Sequence, residues 1–225
     1  MSTLILLRHG QAAFGADAYD QLSELGHAQA LATGAWLGER AGPLAAVWHG
    51  PRRRHADTAS GVLAGAGRAF DAVAVAGLDE FGEGEDVLRA AEALFGGPML
   101  GDGAPPRDEQ LRCYDRAIAA WAAGDADMPG RMPYTQFRAA VRTWLDALVG
   151  TPGRPGGRTE LAVTSAGVVA AVVCDVLELP DPHWHRLLRM IGNCSVTEIA
   201  FSGSRRGLSS FNATGHLPAR LATTI

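Results

Sequence analysis

The sequence contains no lysine, because all 20 of its basic residues are arginine. A phosphate-binding loop of the Walker type and Schiff-base chemistry both need a lysine, so neither is available to this chain. The formal net charge of −4 also argues against non-specific binding to nucleic acid. We therefore exclude these enzyme classes and expect no nucleic-acid partner.

Cysteine is scarce and irregularly spaced. The three residues Cys113, Cys174 and Cys194 are an odd number and form no CxxC pair, which predicts neither a disulfide framework nor a zinc site. The segment His183-Trp184-His185 does not change this prediction, because a spacing of two residues does not place two ligands on one helix face. We expect reduced thiols, no metal, and a packed tryptophan between surface histidines.

Long apolar runs are also missing. The longest, Ala166 to Cys174, ends at Asp175 and is far shorter than the roughly 18 residues of a membrane span. The N-terminus lacks the apolar stretch and cleavage site of a signal peptide. With 225 residues, 47% of them hydrophobic, the chain is expected to be a soluble cytoplasmic protein with one domain over residues 1–225 and no membrane partner.

Hydrophobic periodicity predicts strands that alternate with helices. The continuous apolar run Leu4–Leu7 is typical of a strand buried on both faces of a sheet. Ser23 is placed to cap a helix that ends near Arg40. Further strands are predicted at Ala45–Trp48, Ala72–Ala76, Leu161–Thr164, Val196–Phe201 and Leu208–Asn212, and further helices from Pro51 to about Leu63 and over 167–178.

Residues 85–150 break this alternation. Helical segments over 85–95, 107–123 and 134–149 are separated by Gly/Pro stretches, which predicts a helical insertion. The whole pattern predicts an α/β fold: a three-layer α/β/α sandwich with a largely parallel mixed sheet. Ligands of such sheets bind beyond the carboxyl ends of the strands.

Three loops follow predicted strands and would line one crevice: Arg8-His9-Gly10, His49 to Arg54, and Ser165-Ala166-Gly167. A histidine directly after a buried strand can act as a nucleophile, and the planar fork of Arg8 matches phosphate oxygens. Gly10 would let the backbone come close. The tripeptide alone leaves open an arginine and a histidine without a catalytic role.

The second loop places Arg52, Arg53 and Arg54 in the first turn of a helix, where the macrodipole disfavours cations. A bound phosphate would relieve this arrangement. Only one arginine needs to point inward, and we expect the other two to be solvated. An acidic cluster then offers candidates for a proton donor to a leaving alcohol, although most of its members would be surface charges: Asp79, Glu80, Glu83, Glu85 and Asp86.

Longer motifs resemble those of the histidine phosphatase superfamily, which includes the cofactor-dependent phosphoglycerate mutases. The resemblance spans residues 4–217 and is weakest in the helical insertion. It is carried by five groups of residues: Leu4–Gly10; Tyr19, Asp20, Leu22, Ser23, Gly26, Gln29 and Ala30; Pro51, Arg54, Thr58 and Ala59; Leu78, Glu80, Gly82, Glu83 and Gly84; and Asn193, Ser195, Thr197, Phe211, Asn212, His216 and Leu217.

This resemblance implies a phosphomonoesterase in which His9 forms a phosphohistidine and Arg8 and Arg54 hold the phosphoryl oxygens. Glu80 is the implied general acid, with Glu83 as the alternative. Gly10, Ser165 and Ala166 would add to the phosphate-binding site. The implied substrate is a small phosphorylated metabolite or a phosphoprotein, and no metal or other cofactor is implied.

The sequence departs from the family at the third loop, where Ser165-Ala166 stands in place of a second histidine. A hydroxyl still donates one hydrogen bond, so we expect catalysis to be weakened and not abolished. His49 and His55 flank the arginine run and are alternative replacements for the missing imidazole.

Two milder departures argue against a glycolytic mutase. This sequence has Gln11-Ala12 where many relatives have Glu-Thr, and Gly15 where mutases tend to have Asn. Mutase-like phosphoryl transfer and a weakened relative that only binds phosphorylated ligands remain open alternatives. The physiological substrate is not specified, and a homodimer is left open.

Overall fold

A mixed six-stranded sheet forms the centre of the computed structural model, which describes residues 1–13, 20–150 and 156–223. Its order is β3-β2-β4-β1-β5-β6. The strands β3, β2, β4 and β1 are parallel, whereas β5 is antiparallel to β1 and β6 to β5. This confirms the predicted mixed, largely parallel sheet. The strands are β1 (Ser2–Arg8), β2 (Leu44–His49), β3 (Val73–Ala74), β4 (Thr159–Thr164), β5 (Val196–Ser202) and β6 (Arg205–Ala213).

The apolar run in β1 is buried on both faces of the sheet. Leu4 and Leu6 belong to one hydrophobic cluster, and Ile5 and Leu7 belong to the other. Side chains alternate between the faces of a strand, so a strand that is covered on both sides needs a continuous apolar run. β1 therefore ends deep in the molecule, and Arg8 leads directly into the loop that carries His9.

Helices cover both faces and complete the three layers. Two of them, α1 (Glu24–Arg40) and α2 (Arg53–Gly65), pack with Ile5 and Leu7. The helices of the opposite face are α3 (Gly84–Phe95), α4 (Arg107–Ala123), α5 (Tyr134–Gly150), α6 (Ala166–Val176) and α7 (Pro182–Leu188). The sequence predicted all but α7 to within about three residues, whereas the strand predicted at Ala72–Ala76 shrinks to two residues.

Glycines allow α1 and α2 to approach closely. A Cβ atom on Gly34 would lie 2.2 Å from the carbonyl oxygen of Val62, and one on Gly61 would lie 2.8 Å from the Cβ of Ala30. Both distances are below van der Waals contact, so these positions need glycine at this helix spacing. This packing brings α2 beside α1, and Thr58 of α2 is hydrogen-bonded to Gly10 in the loop after β1.

Within the described ranges, no helix is both long and apolar enough to cross a bilayer. The three cysteines are buried and unpaired. Burial raises the pKa of Cys174 to about 11, and the thiol therefore stays protonated near neutral pH.

Candidate active site

His9 lies in the loop directly after β1, at the carboxyl edge of the sheet. Its backbone N–H donates to the carbonyl of Thr164 at 2.8 Å, which fixes the loop against the end of β4. The residue is 7% exposed, and its Nδ1 lies 2.7 Å from the carbonyl oxygen of Gly10. A carbonyl only accepts, so Nδ1 carries the proton and Nε2 carries the lone pair.

The surroundings of His9 keep its ring neutral. Burial holds the pKa of His9 well below its usual value of 6.5, and the nearby charges of Arg8 and Arg54 and the His55 ring lower it further. Arg8 is fixed beside it by a bond from Nη1 to the carbonyl of Ile191 at 2.5 Å. A neutral imidazole with a defined tautomer can act as a nucleophile.

Gly10 joins this loop to both helices of the adjoining layer. A Cβ atom at this position would lie 2.5 Å from the carbonyl oxygen of Gly26 near the start of α1. The N–H of Gly10 donates to Thr58 Oγ1 at 3.1 Å, and Thr58 Oγ1 donates to the carbonyl of Arg54 at 2.7 Å. The loop of the nucleophile is thereby tied to the turn that carries the arginines.

Residues near the C-terminus support the same loop from the opposite side. Asn193 Nδ2 donates to the carbonyl oxygen of His9 at 3.3 Å. The N–H of Cys194 donates to the carbonyl oxygen of Arg8 at 3.1 Å. Cys194 adopts a positive φ of 50°, which places its N–H toward the end of β1. The motif at Asn193 thus helps to shape the loop of the nucleophile.

Arg53 and Arg54, the first two residues of α2, have different surroundings. The side chain of Arg54 is 4% exposed, whereas that of Arg53 is 60% exposed. Arg54 Nη1 donates to Asp20 Oδ1 at 2.9 Å and to Glu83 Oε1 at 3.1 Å. These two carboxylates orient a buried guanidinium toward the edge of the site.

Arg52 also points inward, so the expectation of a single inward arginine is wrong. Its side chain is 9% exposed. Its Nε donates to Asp79 Oδ1 at 2.6 Å and its Nη2 to the carbonyl of Glu80 at 2.9 Å, while Nη1 forms an ion pair with Glu83. Arg52 therefore fastens the acidic loop to the start of α2.

Glu80 and Glu83 differ in their surroundings. Glu80 accepts hydrogen bonds from the N–H of Phe81 at 3.0 Å and from that of Gly167 at 3.4 Å. Burial raises the pKa of Glu80, although these bonds and the charges of Arg54 and Arg52 partly oppose the shift. Glu83 instead pairs with the two arginines and caps α3. Of the two, Glu80 has the environment that retains a proton.

Ser165 and Ala166 stand at the start of α6. Ser165 is fully buried, and its Oγ lies 2.7 Å from Nε2 of His55. The indole of Trp184, buried as predicted, donates to the carbonyl of Gly167 at 2.9 Å and anchors this helix. The first turn of α6 therefore presents its amide groups beside Glu80, as at an anion-binding helix terminus.

Asp20 had no role assigned from the sequence. It belonged to a quoted motif, two positions before Leu22, but nothing in the sequence showed that it pairs with Arg54. Gly15 and Tyr19 lie outside the described residues. Within the described part of the chain, no group of three or more His, Cys, Asp and Glu side chains could hold a metal ion.

Comparison with known proteins identifies the family. The sequence model of the histidine phosphatase superfamily (branch 1) matches residues 4–94 and 102–214. The native structure of a mycobacterial glucosyl-3-phosphoglycerate phosphatase is 25% identical, with a TM-score of 0.65 over 94% of this chain and 98% of that one.

Two further solved structures share the fold. A phosphoserine phosphatase mutant from Entamoeba histolytica, in complex with phosphoserine, is 20% identical, with a TM-score of 0.66 over 97% of this chain and all (100%) of that one. YhfR from Bacillus stearothermophilus is 22% identical, with a TM-score of 0.69 over 96% and 99%. Among curated proteins, no sequence matches. The extent of the family match shows that this chain belongs to the histidine phosphatase superfamily.

Proposed function

We propose that this protein is a phosphomonoesterase that works through a phosphohistidine on His9. One observation carries the proposal: the Nδ1 proton of His9 is held by the carbonyl of Gly10, which leaves the Nε2 lone pair of a buried, neutral ring for attack. A loop histidine without a catalytic role would not need this burial among arginines.

The proposed reaction has two steps. His9 Nε2 attacks phosphorus, the bond from phosphorus to the ester oxygen breaks, and Glu80 gives its proton to the departing alkoxide. Water then attacks phosphorus, Glu80 takes a proton from that water, and the bond from phosphorus to Nε2 breaks to release phosphate. Arg8, Arg54, Ser165 and the first amides of α6 would stabilise the charge on the phosphoryl oxygens.

The substrate class is proposed with support from the acidic loop and from the relatives. Arg52 and Arg54 pair with Glu83, and Arg52 also holds the loop of Glu80. Structural relatives include phosphatases for glucosyl-3-phosphoglycerate and phosphoserine. A small phosphorylated metabolite or a phosphorylated protein side chain is the proposed substrate.

A phosphate-release screen tests this proposal. Para-nitrophenyl phosphate serves as the reference substrate beside sugar phosphates, phosphoglycerates, nucleotides and phosphopeptides. Wild-type protein should release phosphate, His9→Ala should not, and His27→Ala, an exposed histidine on α1, should match wild type. Return of the phosphoryl group to a second hydroxyl would favour a mutase, and binding without turnover would favour a phospho-ligand sensor.

A further inference from the structure

His55 is the nearest histidine ring to His9 that is not explained by the mechanism above. The two ring centroids are 5.6 Å apart, and His55 is fully buried on α2. Its neighbour His49, at the end of β2, instead directs Nδ1 to the carbonyl of Gly50 at 2.7 Å. Of the two histidines that flank the arginine run, His55 is therefore the one placed at the site.

Ser165 gives His55 a specific partner. Although Ser165 is the N-cap residue of α6, its side chain makes no capping bond to that helix among the described residues, and Oγ lies 2.7 Å from His55 Nε2. A serine hydroxyl at an N-cap commonly accepts from the first turn. Here the hydroxyl is turned toward the imidazole, so the contact joins two elements that are 110 positions apart in sequence.

The position of His55 is also closely fitted. A Cβ atom on Gly50 would lie 2.2 Å from His55 Nδ1, so the ring occupies space that any other residue at position 50 would need. The imidazole is thus held on one side by the backbone of Gly50 and on the other by Ser165. Such confinement favours one ring orientation.

A donor count decides what the pair can do. A hydroxyl has a single proton but accepts two hydrogen bonds. Within the described residues His55 Nδ1 has no hydrogen-bond partner, so a proton on Nδ1 would be buried without an acceptor. With the proton on Nε2 instead, Ser165 accepts from His55, and the proton of the hydroxyl is left for another acceptor. Serine alone has no fixed hydroxyl direction, whereas serine with this partner becomes a directed donor.

We propose that His55 and Ser165 form one phosphoryl-binding unit that replaces the second histidine of the family. In this unit, His55 Nε2–H donates to Ser165 Oγ, and the Ser165 hydroxyl donates its proton to a phosphoryl oxygen. His55 acts through Ser165 and is a positioning residue. The inference rests on the proposed function, because it assumes that the phosphoryl group binds beside His9.

The charges that face His55 predict a response to phosphate. Burial lowers the pKa of His55 well below 6.5, and Arg54, Arg52 and His49 lower it further. The ring of His9 faces it from the loop after β1. A phosphate dianion would offset the charges of the arginines, so phosphate binding should raise the pKa of His55.

The first test uses inorganic phosphate as the probe and measures its dissociation constant by calorimetry. His55→Ala and Ser165→Ala should each weaken binding about tenfold, and the double variant should be no weaker than either single variant, because the two residues act as a unit. His27→Ala is the matched control. A loss below twofold in His55→Ala, or losses that multiply to a hundredfold in the double variant, would overturn the proposal.

The second test exchanges the two side chains. Ser165→His alone would bring a second ring against His55 and should lower the melting temperature without improving phosphate binding. In the His55→Ala background there is space for the imidazole that Ser165→His introduces, and this double variant should recover about tenfold in affinity for phosphate. Equal effects of Ser165→His in both backgrounds would contradict a shared site.

Histidine NMR of the wild-type chain covers the case in which His55→Ala does not fold. Phosphate should raise the apparent pKa of His55 in wild type and less so in Ser165→Ala, whereas no shift in wild type would overturn the inference. His55→Gln, which keeps an N–H donor, should retain most of the affinity for phosphate. The proposed function fails separately, if wild type binds phosphate but neither hydrolyses a phosphomonoester nor forms a phosphoenzyme.

Discussion

The three consecutive arginines at the start of α2 differ in side-chain direction because each has a different position at the helix terminus. Arg53 and Arg54 are the first two residues of α2, where each step rotates a side chain by about 100°, whereas Arg52 is the N-cap residue and has an extended backbone. Arg53 faces solvent, Arg54 faces the edge of the site, and Arg52 holds the acidic loop. Charge alone does not distinguish them, whereas their hydrogen-bond partners do.

Replacing Arg54 by alanine should sharply reduce kcat/KM for para-nitrophenyl phosphate. Truncating one partner of a buried charge pair costs about 2–5 kcal/mol, equivalent to roughly 30- to 5,000-fold in rate. Arg53→Ala is the matched control and should stay within about twofold, because its side chain is 60% exposed. Similar losses in both variants would mean that the whole turn acts as a general basic surface.

If Glu80 is the general acid, the effect of its replacement on kcat should depend on the leaving group. Protonation matters most when the departing alkoxide is a strong base, so Glu80→Gln should slow alkyl phosphates far more than para-nitrophenyl phosphate. The comparison of kcat between the two substrates measures this. Glu83→Gln should lack the selectivity, because Glu83 pairs with Arg52 and Arg54. The opposite pattern would transfer the proton donor to Glu83.

Among the elements, α1 and α2 set the distance between the loop of the nucleophile and the arginine turn. Glycines on both helices, Gly34 and Gly61, allow the close approach at this seam. Alanine normally favours a helix over glycine by about 1 kcal/mol. At this seam the added methyl group would meet the backbone of the other helix, so packing outweighs propensity.

Gly34→Ala should therefore lower the free energy of unfolding by about 1–3 kcal/mol, as expected for overpacking, when measured by urea denaturation. Gly150→Ala is the control, because a Cβ atom at Gly150, the last residue of α5, meets no atom of the described residues within 4 Å. That control should be unchanged or slightly stabilised. A stabilised Gly34→Ala would show that the two helices separate at little cost.

At the scale of the whole molecule, local patterns predicted the elements better than their contacts. The apolar run Leu4–Leu7 and the cap at Ser23 carry their own signals, and both predictions are confirmed. The short helix α7 was missed because its seven residues around Trp184, about two turns, are too few to show a clear hydrophobic period.

Contacts at the site were harder to predict for a physical reason. Asp79 and Glu80, which accept hydrogen bonds from Arg52, lie 27 and 28 positions after it in the sequence. Ser165 and His55, which contact each other, are 110 positions apart. Such pairs depend on how loops meet at the edge of the sheet, which no local spacing encodes. The resemblance to a family supplied Arg54 and Glu80, but it did not supply the contact between Ser165 and His55.

The pH dependence of kcat/KM should reflect the lowered pKa of His9 and the raised pKa of Glu80. His9 must be neutral to attack, and its lowered pKa keeps it so well below pH 6.5, which moves the acidic limb to low pH. Glu80 must be protonated, and its raised pKa extends the active range upward from 4.5. For an alkyl phosphate, activity should fall as the pH rises through the pKa of Glu80. Glu80→Gln should lose this alkaline limb and keep the acidic one, whereas unchanged limbs would contradict the assignment.

Rapid quenching would detect the covalent phosphate that is proposed on His9. Wild-type protein mixed with a reactive phosphomonoester and quenched within milliseconds should carry one phosphate on the peptide that contains His9. As a phosphoimidazole, this label should be labile in acid and stable in base, and mass spectrometry would locate it. A phosphate on another residue, or a label and turnover that persist in His9→Ala, would contradict the account.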